Sequence, residues 1–428
     1  MQKFLGTLVG KFVRLAVAFR PNGGHALPGL IVDRLFPGYL SAMLKQLPEG
    51  VIFITGTNGK TTTTKMVVKL LEGSGKRVLT NSTGSNMVRG AVSGLAKDAS
   101  IFGKLNFDIA VLEVDEASAR PLSRKVKPRW VLALNVSRDQ LDRFGEVDTI
   151  AQHIKFAMDQ ATEGVISNAG DPLLAKVATQ VASKKDINLD FFGAAGKLQK
   201  FFPNDYELAA VDDTPKAKPA SPEQPLAVEL VAFDGQTAEY AIGGKKYSAR
   251  FKLSGQHNFL NGAAALALAK RLLPESKIPD LVAQLAKVPI AFGRGESYRF
   301  KNDTTVELVL VKNPASFRQA LASYADKRHE LVVAINDNIA DGRDVSWLWD
   351  VDFSSLTGRT IRLTTGTRAA DMALRLQYDD IKVAGMQPDL STALDEISQH
   401  EGHKVVLATY TAMLKLYGSL NKRAERIV

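Results

Sequence analysis

Cysteine is absent from this chain of 428 residues. Its absence excludes disulfide bonds, cysteine-ligated zinc, iron–sulfur clusters and a cysteine nucleophile within this polypeptide. Any chemistry must therefore use oxygen and nitrogen groups. The length is enough for two to four domains of the usual size of about 100 to 200 residues, each with its own core.

A long uninterrupted apolar run is also lacking. The N-terminal stretch is apolar, but Lys11 and Arg14 interrupt it well short of the roughly 20 apolar residues that a membrane span needs. The pattern predicts an amphipathic helix, which either packs on the protein or lies on a membrane surface. Both alternatives stay open at the level of sequence.

Acidic residues are outnumbered by basic ones. The chain has 55 Lys and Arg against 45 Asp and Glu, a net charge of +10. This balance favours anionic partners such as nucleotides, phosphate-bearing substrates or an anionic membrane surface.

Short apolar runs recur from residue 51 onward, each followed by a turn and a helical pattern. They include VIFIT (51–55), IAVLE (109–113), WVLALN (130–135) and GVISN (164–168). This alternation predicts an α/β fold with a mostly parallel sheet. Ligands of such sheets bind outside the carboxyl ends of the strands, so the polar endings of these runs predict one crevice.

Three segments are predicted along the chain: an N-terminal helical segment (1–48), a central α/β domain (49–293) and a C-terminal Rossmann-like domain (294–428). The central domain is expected to carry an insert at 195–250. There a proline-rich loop is followed by strand-like runs around the turn signal Gly243-Gly244. This insert is predicted to contain a small antiparallel patch.

A glycine-rich loop follows the first predicted strand. Backbone N–H groups of such a loop can close on phosphate oxygens, the following lysine can reach the β- and γ-phosphates, and a threonine hydroxyl can bind Mg²⁺. The spacing G-x-x-G-K-T-T is shorter than the common phosphate-loop pattern. The predicted phosphate ligands are Thr57, Asn58, Gly59, Lys60, Thr61 and Thr62.

The loop TGTNGKT at 55–61 resembles that of the Mur ligase superfamily, the ATP-dependent amide-forming synthetases of cell-wall and folylpolyglutamate metabolism. The resemblance implies that 49–293 is a Mur-ligase-like ATP-binding domain that uses ATP and Mg²⁺. Glu113 stands where the family places a magnesium-binding glutamate. Thr61 would share that metal.

A second family segment, N-x-x-x-D-H-x-D, corresponds to residues 135–142. Gln140 replaces the metal-site histidine, so metal coordination at Gln140 is open. Lys155 stands thirteen residues after Asp142, at the spacing where several family members carry a carbamylated lysine. An ordinary surface lysine is the alternative.

Three further segments match the superfamily in order along the chain. GQHNFLN at 255–261 resembles G-x-H-N-x-x-N, which implies that His257, Asn258 and Asn261 contact adenine. Arg294 matches the phosphate-contacting arginine of G-R-x-E. Lys312, with Ser316 close behind it, matches the place where the C-terminal domain supplies a lysine to the closed site.

Three segments resemble one branch of the superfamily, the MurT subunits of lipid II isoglutaminyl synthase. They lie at 113–116, 138–146 and 336–350, and the resemblance covers roughly residues 25 to 425. It implies ATP-dependent amidation of the D-glutamate α-carboxyl in the lipid II stem peptide through an acyl phosphate. Ammonia would come from a GatD-like glutaminase in a heterodimer, in the cytoplasm, with peripheral contact at the inner membrane face left open.

The acidic segment at 336–350 is where the resemblance implies docking of the glutaminase. An aspartate there would orient the partner's catalytic pair, by the logic of a catalytic triad. Asp344 is the first candidate and Asp350 the second. The alternative for each is a solvated surface carboxylate.

One departure from the MurT pattern is plain. Many members carry four cysteines as a zinc ribbon, and this chain has none, so no zinc is expected. Two other functions are weighed: a Mur-type or folylpolyglutamate-like amino-acid ligase, and a nucleotide-gated binding module without turnover. The segment at 336–350, which is not expected in those ligases, favours the amidating synthetase.

Overall fold

The computed structural model describes residues 2–18, 27–81, 88–137, 147–202, 225–252, 255–288, 294–324 and 329–427. They divide into two compact units. The first comprises Met1–Val136, Val147–Phe251 and Asn258–Val288, and the second Ser137–Glu146, Lys252–His257 and Pro289–Val428. The three-segment division stated above stays a prediction.

The first unit alternates strands and helices in the predicted manner. Its elements are α1 Gln2–Ala18, α2 Leu27–Leu35, α3 Tyr39–Leu44, β1 Val51–Thr55, α4 Lys60–Gly73, β2 Val78–Thr80, α5 Val88–Asp98, β3 Ile109–Val114, α6 Glu116–Lys125, β4 Trp130–Ala133, α7 Val147–Gln160, β5 Gly164–Asn168, α8 Pro172–Lys185, β6 Asn188–Ala194, β7 Val228–Asp234, β8 Thr237–Ile242, β9 Lys245–Arg250, α9 Gln256–Leu272 and α10 Ile278–Leu285.

One sheet organises this unit. Its strand order among the described residues is β2-β3-β1-β4-β5-β6-β7-β8-β9. Neighbours from β2 to β7 run parallel, and β7, β8 and β9 pair antiparallel. Strand β1 is buried at every position, as a central parallel strand covered on both faces must be. The expected antiparallel patch is present, and it extends the main sheet.

The second unit also alternates strands and helices. Its elements are β10 Arg294–Arg299, β11 Thr305–Leu310, α11 Pro314–Tyr324, β12 Glu330–Ala334, β13 Thr360–Ile361, β14 Leu363–Thr365, α12 Ala369–Tyr378, β15 Lys382–Val383, β16 Met386–Gln387, α13 Leu390–Ser398, β17 His403–Ala408, α14 Tyr410–Arg423 and β18 Glu425–Arg426, with short 3₁₀ helices at Ser346–Asp350 and Ser354–Leu356.

The larger sheet of the second unit has the order β16-β14-β12-β17-β11-β10-β18 among the described residues. It is parallel from β16 to β11, while β10 and β18 add antiparallel pairs. Apolar clusters cover both faces of this sheet, one built around Phe317 and Phe353 and the other around Tyr298 and Met413. The predicted α/β fold class with mostly parallel sheets is confirmed in both units.

The N-terminal helix α1 packs on the first unit through one narrow face. Gly6 and Gly10 lie on that face, because a Cβ at Gly6 would overlap the ring of Tyr39 and one at Gly10 would overlap Ala96. The Thr7 hydroxyl shares a 2.8 Å hydrogen bond with the Tyr39 hydroxyl. Of the two alternatives left open for this helix, packing on the protein is therefore observed for this one face.

None of the helices in the described part of the chain is both long and apolar enough to cross a lipid bilayer.

Candidate functional site

The glycine-rich loop begins where the central strand β1 ends. Strands β3 and β4 flank β1, and their register places Thr55 beside both Val114 and Ala133. Residues that follow β3 and β4 therefore reach the loop, although they lie more than fifty positions away in sequence. Glu113, the predicted metal ligand, stands beside Ile54, one residue before the loop.

The loop is held in shape by one asparagine side chain. Asn135 accepts a 2.8 Å hydrogen bond from the Asn58 N–H through Oδ1 and donates a 3.0 Å bond to the Asn58 carbonyl through Nδ2. The Asn135 carbonyl accepts a third bond, of 2.9 Å, from the Thr57 N–H. The backbone of the loop is therefore preorganised, which lowers the entropy cost of closing it on an anion.

Both the backbone conformation and the space around position 59 favour glycine in this loop. The φ of Gly59 is +86°, in the left-handed region, and the residue directly precedes helix α4. A Cβ at Gly59 would lie 2.5 Å from Asn261 Oδ1. The start of helix α9, which carries the predicted adenine contacts, thus lies against the phosphate loop.

The Lys60 ammonium is buried and surrounded by oxygen atoms. Nζ donates hydrogen bonds of 2.5 Å to the Gly56 carbonyl, 3.2 Å to the Thr57 carbonyl and 3.0 Å to Glu116 Oε2. Burial by itself lowers the pKa of Lys60, but the carboxylates of Glu116, Asp115 and Glu113 raise it by more, so the net pKa shift is upward. The ammonium therefore keeps its charge in the site.

Thr61 and Glu113 present two oxygens to the same space. The Thr61 hydroxyl donates a 2.9 Å hydrogen bond to Glu113 Oε1. The Asn81 side chain in turn clamps the Glu113 backbone, accepting from its N–H and donating to its carbonyl, both at 2.8 Å. A hydroxyl and a carboxylate side by side at a phosphate loop are hard oxygen donors of the kind that Mg²⁺ takes together with nucleotide phosphates. The donor set therefore fits the predicted magnesium ion.

The remaining phosphate-loop residues lie at or near the start of α4. Thr57, Asn58 and Thr62 are buried, with Thr62 inside the first turn of the helix. Four N–H groups at a helix start have no partner within the helix, and the helix dipole favours an anion there. The structure brings all six predicted loop residues together.

The predicted adenine residues lie at the first turn of α9. Asn258 and Asn261 are buried, and Asn261 Nδ2 has no hydrogen-bond partner among the described residues. Tyr240 on β8 anchors this turn by donating a 2.8 Å hydrogen bond to the Phe259 carbonyl. His257 is half-buried and lies against Gly255, whose φ is +95°. The unsatisfied amide is suited to a polar ligand.

Lys155 lies on α7, where its ammonium makes a 2.8 Å ion pair with Asp159 one helical turn away. Carbamylation of Lys155 stays a prediction. Gln140 lies outside the described residues. Across the parts of the chain that the structure does describe, no three His, Asp or Glu side chains are grouped so as to hold a metal ion.

Two predicted site residues, the phosphate contact Arg294 and the catalytic candidate Lys312, lie in the second unit. Arg294 begins β10 and pairs with Val309. Lys312 precedes α11, and its backbone N–H donates a 2.9 Å hydrogen bond to the Ser316 hydroxyl. That hydroxyl also accepts from the Asn313 N–H, while Asn313 Oδ1 accepts from the Ser316 N–H. Asn313 and Ser316 therefore form a reciprocal cap at the start of α11, a structural task.

The acidic segment at 336–350 contains four aspartates in different environments. Asp341 is 5% exposed and accepts hydrogen bonds from both the N–H and the hydroxyl of Thr411. Asp337 is held by the Thr367 hydroxyl and by Arg368, and these contacts lower its pKa. Two of the four thus bind the loop to neighbouring segments, which makes them structural.

Asp344 and Asp350 remain accessible. Asp344 is half-buried and accepts a 2.8 Å hydrogen bond from the Ser346 N–H, a contact that lowers the pKa of Asp344. Asp350 is exposed, and its backbone carbonyl accepts from Arg318. Between them Trp349 is 52% exposed and packs edge-on against Tyr378 at a 5.1 Å ring distance. A large exposed aromatic pair of this kind is typical of an interface anchor.

Two family models match this chain, one mostly within its first unit and one within its second. The Mur ligase middle domain matches residues 54–269, and the MurT ligase C-terminal domain matches residues 310–413. The MurT subunit of lipid II isoglutaminyl synthase (glutamine-hydrolyzing) from Streptococcus pneumoniae strain R6 is 31% identical over 98% of this chain and 97% of its own length. The chain belongs to the MurT family.

Two other comparisons extend the match. The MurT subunit of lipid II isoglutaminyl synthase (glutamine-hydrolyzing) from Staphylococcus aureus strain COL is 27% identical over 99% of both chains. Among solved structures, MurF from Acinetobacter baumannii superimposes with a TM-score of 0.67 at 19% identity, over 92% of this chain and 80% of that one, which shows a shared fold. As a MurT family member with the Mur ligase fold, the chain is an ATP-dependent ligase.

Sequence reasoning assigned no role to two residues of this MurT chain that complete the site. Glu116 is the ion-pair partner of Lys60, and Asn135 fixes the loop. Glu116 comes shortly after the predicted strand at 109–113, and Asn135 is the last residue of the predicted strand run at 130–135; both strands neighbour β1. A position near the end of a strand is the feature of the sequence that could have pointed to these residues. Which atoms of the loop they contact depends on the register of the sheet.

Proposed function

We propose that this chain is the synthetase subunit of a two-chain glutamine amidotransferase that converts the D-glutamate of the lipid II stem peptide to D-isoglutamine. The observation that carries the proposal is the phosphate loop, with Lys60 in it and Thr61 hydrogen-bonded to Glu113 of β3, in a chain that matches MurT subunits over nearly its whole length. Those relatives are named as subunits of lipid II isoglutaminyl synthase (glutamine-hydrolyzing).

The proposed reaction has two steps. The α-carboxylate oxygen of D-glutamate attacks the γ-phosphorus of ATP, the bond to the β-phosphate oxygen breaks, and ADP leaves. The ammonia nitrogen then attacks the carbonyl carbon of the acyl phosphate, inorganic phosphate leaves, and a proton is lost to give the amide. Exclusion of water is required because water would hydrolyse the acyl phosphate.

The residues of the first unit supply charge and position for the first step. Lys60 places an ammonium, fixed by the Gly56 and Thr57 carbonyls, at the loop where negative charge would move during phosphoryl transfer. Thr61 and Glu113 would hold Mg²⁺, which when bound neutralises phosphate charge. Asn258 and Asn261, with His257, are proposed as adenine contacts, Arg294 as a further phosphate contact, and Lys312 as the catalytic lysine that the C-terminal domain supplies. A carbamylated Lys155 is proposed as the ligand of a second metal ion.

The nitrogen source is proposed to be a GatD-like glutaminase bound as a heterodimer. The chain has no cysteine, so a thiol that releases ammonia from glutamine must belong to another polypeptide. Asp344, with Asp350 as the second choice, is proposed to orient the catalytic pair of that partner. Asp344 bonds only locally to the Ser346 N–H in the contacts described above and lies near the exposed Trp349, whereas the carboxylates of Asp337 and Asp341 bind the loop to distant segments, and these contacts support the assignment.

The cellular setting follows from the proposed substrates. We place the enzyme in the cytoplasm, with peripheral contact at the inner face of the membrane, because ATP is drawn from the cytoplasm and lipid II is anchored in the bilayer.

The experiment is co-purification of the full chain with its glutaminase, followed by mass spectrometry of a soluble lipid II analogue. We expect replacement of one OH by NH₂, dependent on both chains, ATP and glutamine. Lys60→Ala should abolish the product, whereas Lys184→Ala, a matched change at an exposed lysine at the end of α8, should not. Gain of an amino-acid residue mass would overturn the proposal in favour of an amino-acid ligase.

A further inference from the structure

The face of α1 that points away from the protein is apolar. Phe4, Leu8, Phe12 and Leu15 follow the spacing that places side chains on one side of a helix. Phe12 is 73% exposed and Leu15 65% exposed. Because α1 packs on the domain through Gly6 and Gly10, this apolar stripe lies on the opposite, outward side.

A second segment enlarges the stripe. The Phe102 ring stacks on the Phe4 ring at a centroid distance of 6.4 Å and an interplanar angle of 17°, and Phe102 is itself 67% exposed. Its neighbour Ile101 is also exposed. We call this set of exposed residues, Phe4, Leu5, Leu8, Phe12, Leu15, Ile101 and Phe102, the α1 surface. Contiguous apolar surface of this kind on a folded chain is typical of an interaction site.

The charged residues of α1 are all basic. α1 carries Lys3, Lys11 and Arg14 and no acidic residue. The Lys11 ammonium donates a 3.1 Å hydrogen bond to the Lys97 carbonyl, which brings the basic side of α1 next to a second exposed lysine at the end of α5. Lys104 follows the Phe102 loop and is exposed as well. Lys3, Lys11, Arg14, Lys97 and Lys104 thus outnumber the exposed acidic residue Asp98, which follows Lys97.

We propose that the α1 surface docks on an anionic phospholipid bilayer, with the apolar side chains inserted at the interface and the basic residues on the lipid headgroups. A helix that lies in the interface needs an apolar face and cationic flanks, and both are present here. Charge complementarity selects a lipid surface over a second copy of this chain, because two such surfaces would bring their cations together. The inference deepens the proposed function and rests on it only for the cellular setting.

Flotation of the full chain with lipid vesicles tests the docking. The probes are vesicles of phosphatidylcholine alone and of equimolar phosphatidylcholine and phosphatidylglycerol, without ATP or substrate. We expect binding to the anionic vesicles that weakens with salt. Lys3→Glu/Arg14→Glu should weaken it more than tenfold, since each cation near an anionic surface contributes about fivefold in affinity.

The apolar part is tested by Phe12→Glu/Leu15→Glu. Its matched control is Met386→Glu/Leu414→Glu, which makes the same charge change at two exposed apolar residues of the second unit. We expect loss of vesicle binding in the first variant, with unchanged thermal unfolding, and retention in the control. Equal vesicle binding by Phe12→Glu/Leu15→Glu and by the control variant would overturn the proposal. A wild-type chain that does not bind vesicles, but dimerises with rising concentration in a way that Phe12→Glu/Leu15→Glu abolishes, would overturn it as well.

Failure of this inference is distinguishable from failure of the proposed function. Amidation of a soluble lipid II analogue does not need a bilayer, so Phe12→Glu/Leu15→Glu should retain it. A chain that floats with anionic vesicles but forms no amide would contradict the proposed function alone.

Discussion

The Lys60 ammonium lies 3.0 Å from Glu116 Oε2, and the two side chains are only 10% and 3% exposed. Glu116 is the first residue of α6, directly after the Asp115 cap that follows β3. The phosphate-loop lysine therefore has a buried counter-ion on the neighbouring strand connection. This ion pair keeps the charge of Lys60 in place in a site where burial alone would oppose it.

The first prediction concerns pH and Glu116→Gln. The carboxylates raise the pKa of Lys60 above its ordinary value, so the stability that the ammonium contributes is complete below that ordinary value and is lost as pH rises through the folded-state pKa. Removing the Glu116 charge lowers that pKa. We expect the alkaline limb of ATP turnover, and of thermal stability, to move to lower pH, with a loss of about 1 to 3 kcal/mol in the free energy of unfolding.

Glu72→Gln is the control for that prediction, because Glu72 is exposed near the end of α4. Turnover and melting temperature are measured across the alkaline range for both variants. An unchanged alkaline limb in Glu116→Gln would show that the ion pair does not govern the charge of Lys60.

The second prediction separates two effects of a side chain at position 59: strain of the left-handed backbone and steric overlap with Asn261. Gly59→Ala places a methyl group 2.5 Å from Asn261 Oδ1, whereas Gly75 has the similar φ of +83° and open space around it. Both changes should cost about 1 kcal/mol of backbone strain. We expect only Gly59→Ala to abolish ATP binding in calorimetry. ATP binding by Gly59→Ala at the wild-type level would contradict the proposed loop geometry.

The third prediction concerns magnesium. Thr61→Val removes the hydroxyl that lies 2.9 Å from Glu113 Oε1, and Thr61→Ser keeps it. Loss of an oxygen ligand, or of the group that orients one, should raise the Mg²⁺ concentration for half-maximal ATP turnover about 10- to 100-fold in Thr61→Val and little in Thr61→Ser. The Mg²⁺ requirement of each variant is measured by titrating ATP turnover with Mg²⁺. Equal Mg²⁺ requirements in the two variants would remove Thr61 from the metal site.

The fourth prediction sorts the aspartates of the second unit. Asp344→Asn should abolish glutamine-driven amidation in the two-chain complex and leave ammonia-driven amidation intact, because the synthetase site is unchanged. Asp341→Asn should instead lower the melting temperature, since Asp341 accepts two hydrogen bonds from Thr411 in a buried position. The loss of glutamine-driven activity in Asp350→Asn rather than Asp344→Asn would reassign the role.

Much of the site was predictable because its chemistry is local in the chain. The loop from Thr57 to Thr62 is contiguous and lies between a strand and a helix, so spacing and residue type were sufficient to predict phosphate binding. Glu113 was predicted from the resemblance to the Mur ligase superfamily, and its place near the carboxyl end of a parallel strand agrees with where ligand sites lie. The cysteine-free composition likewise determined that any thiol chemistry belongs to another polypeptide.

Other features were decided only by tertiary structure. Glu116 meets Lys60, and Asn135 meets Asn58, because β1 lies between β3 and β4 in a particular register. The sequence presents four similar aspartates at 337–350, and the fold alone buries Asp341 while leaving Asp350 exposed.

The N-terminal helix shows the same division. Its composition predicted amphipathicity, but which face packs inward depended on the fit of Gly6 and Gly10 against Tyr39 and Ala96. Composition and local pattern determine which groups a chain carries and which elements they form. Burial, partners and outward faces depend on contacts between residues far apart in sequence, which only the packed fold specifies.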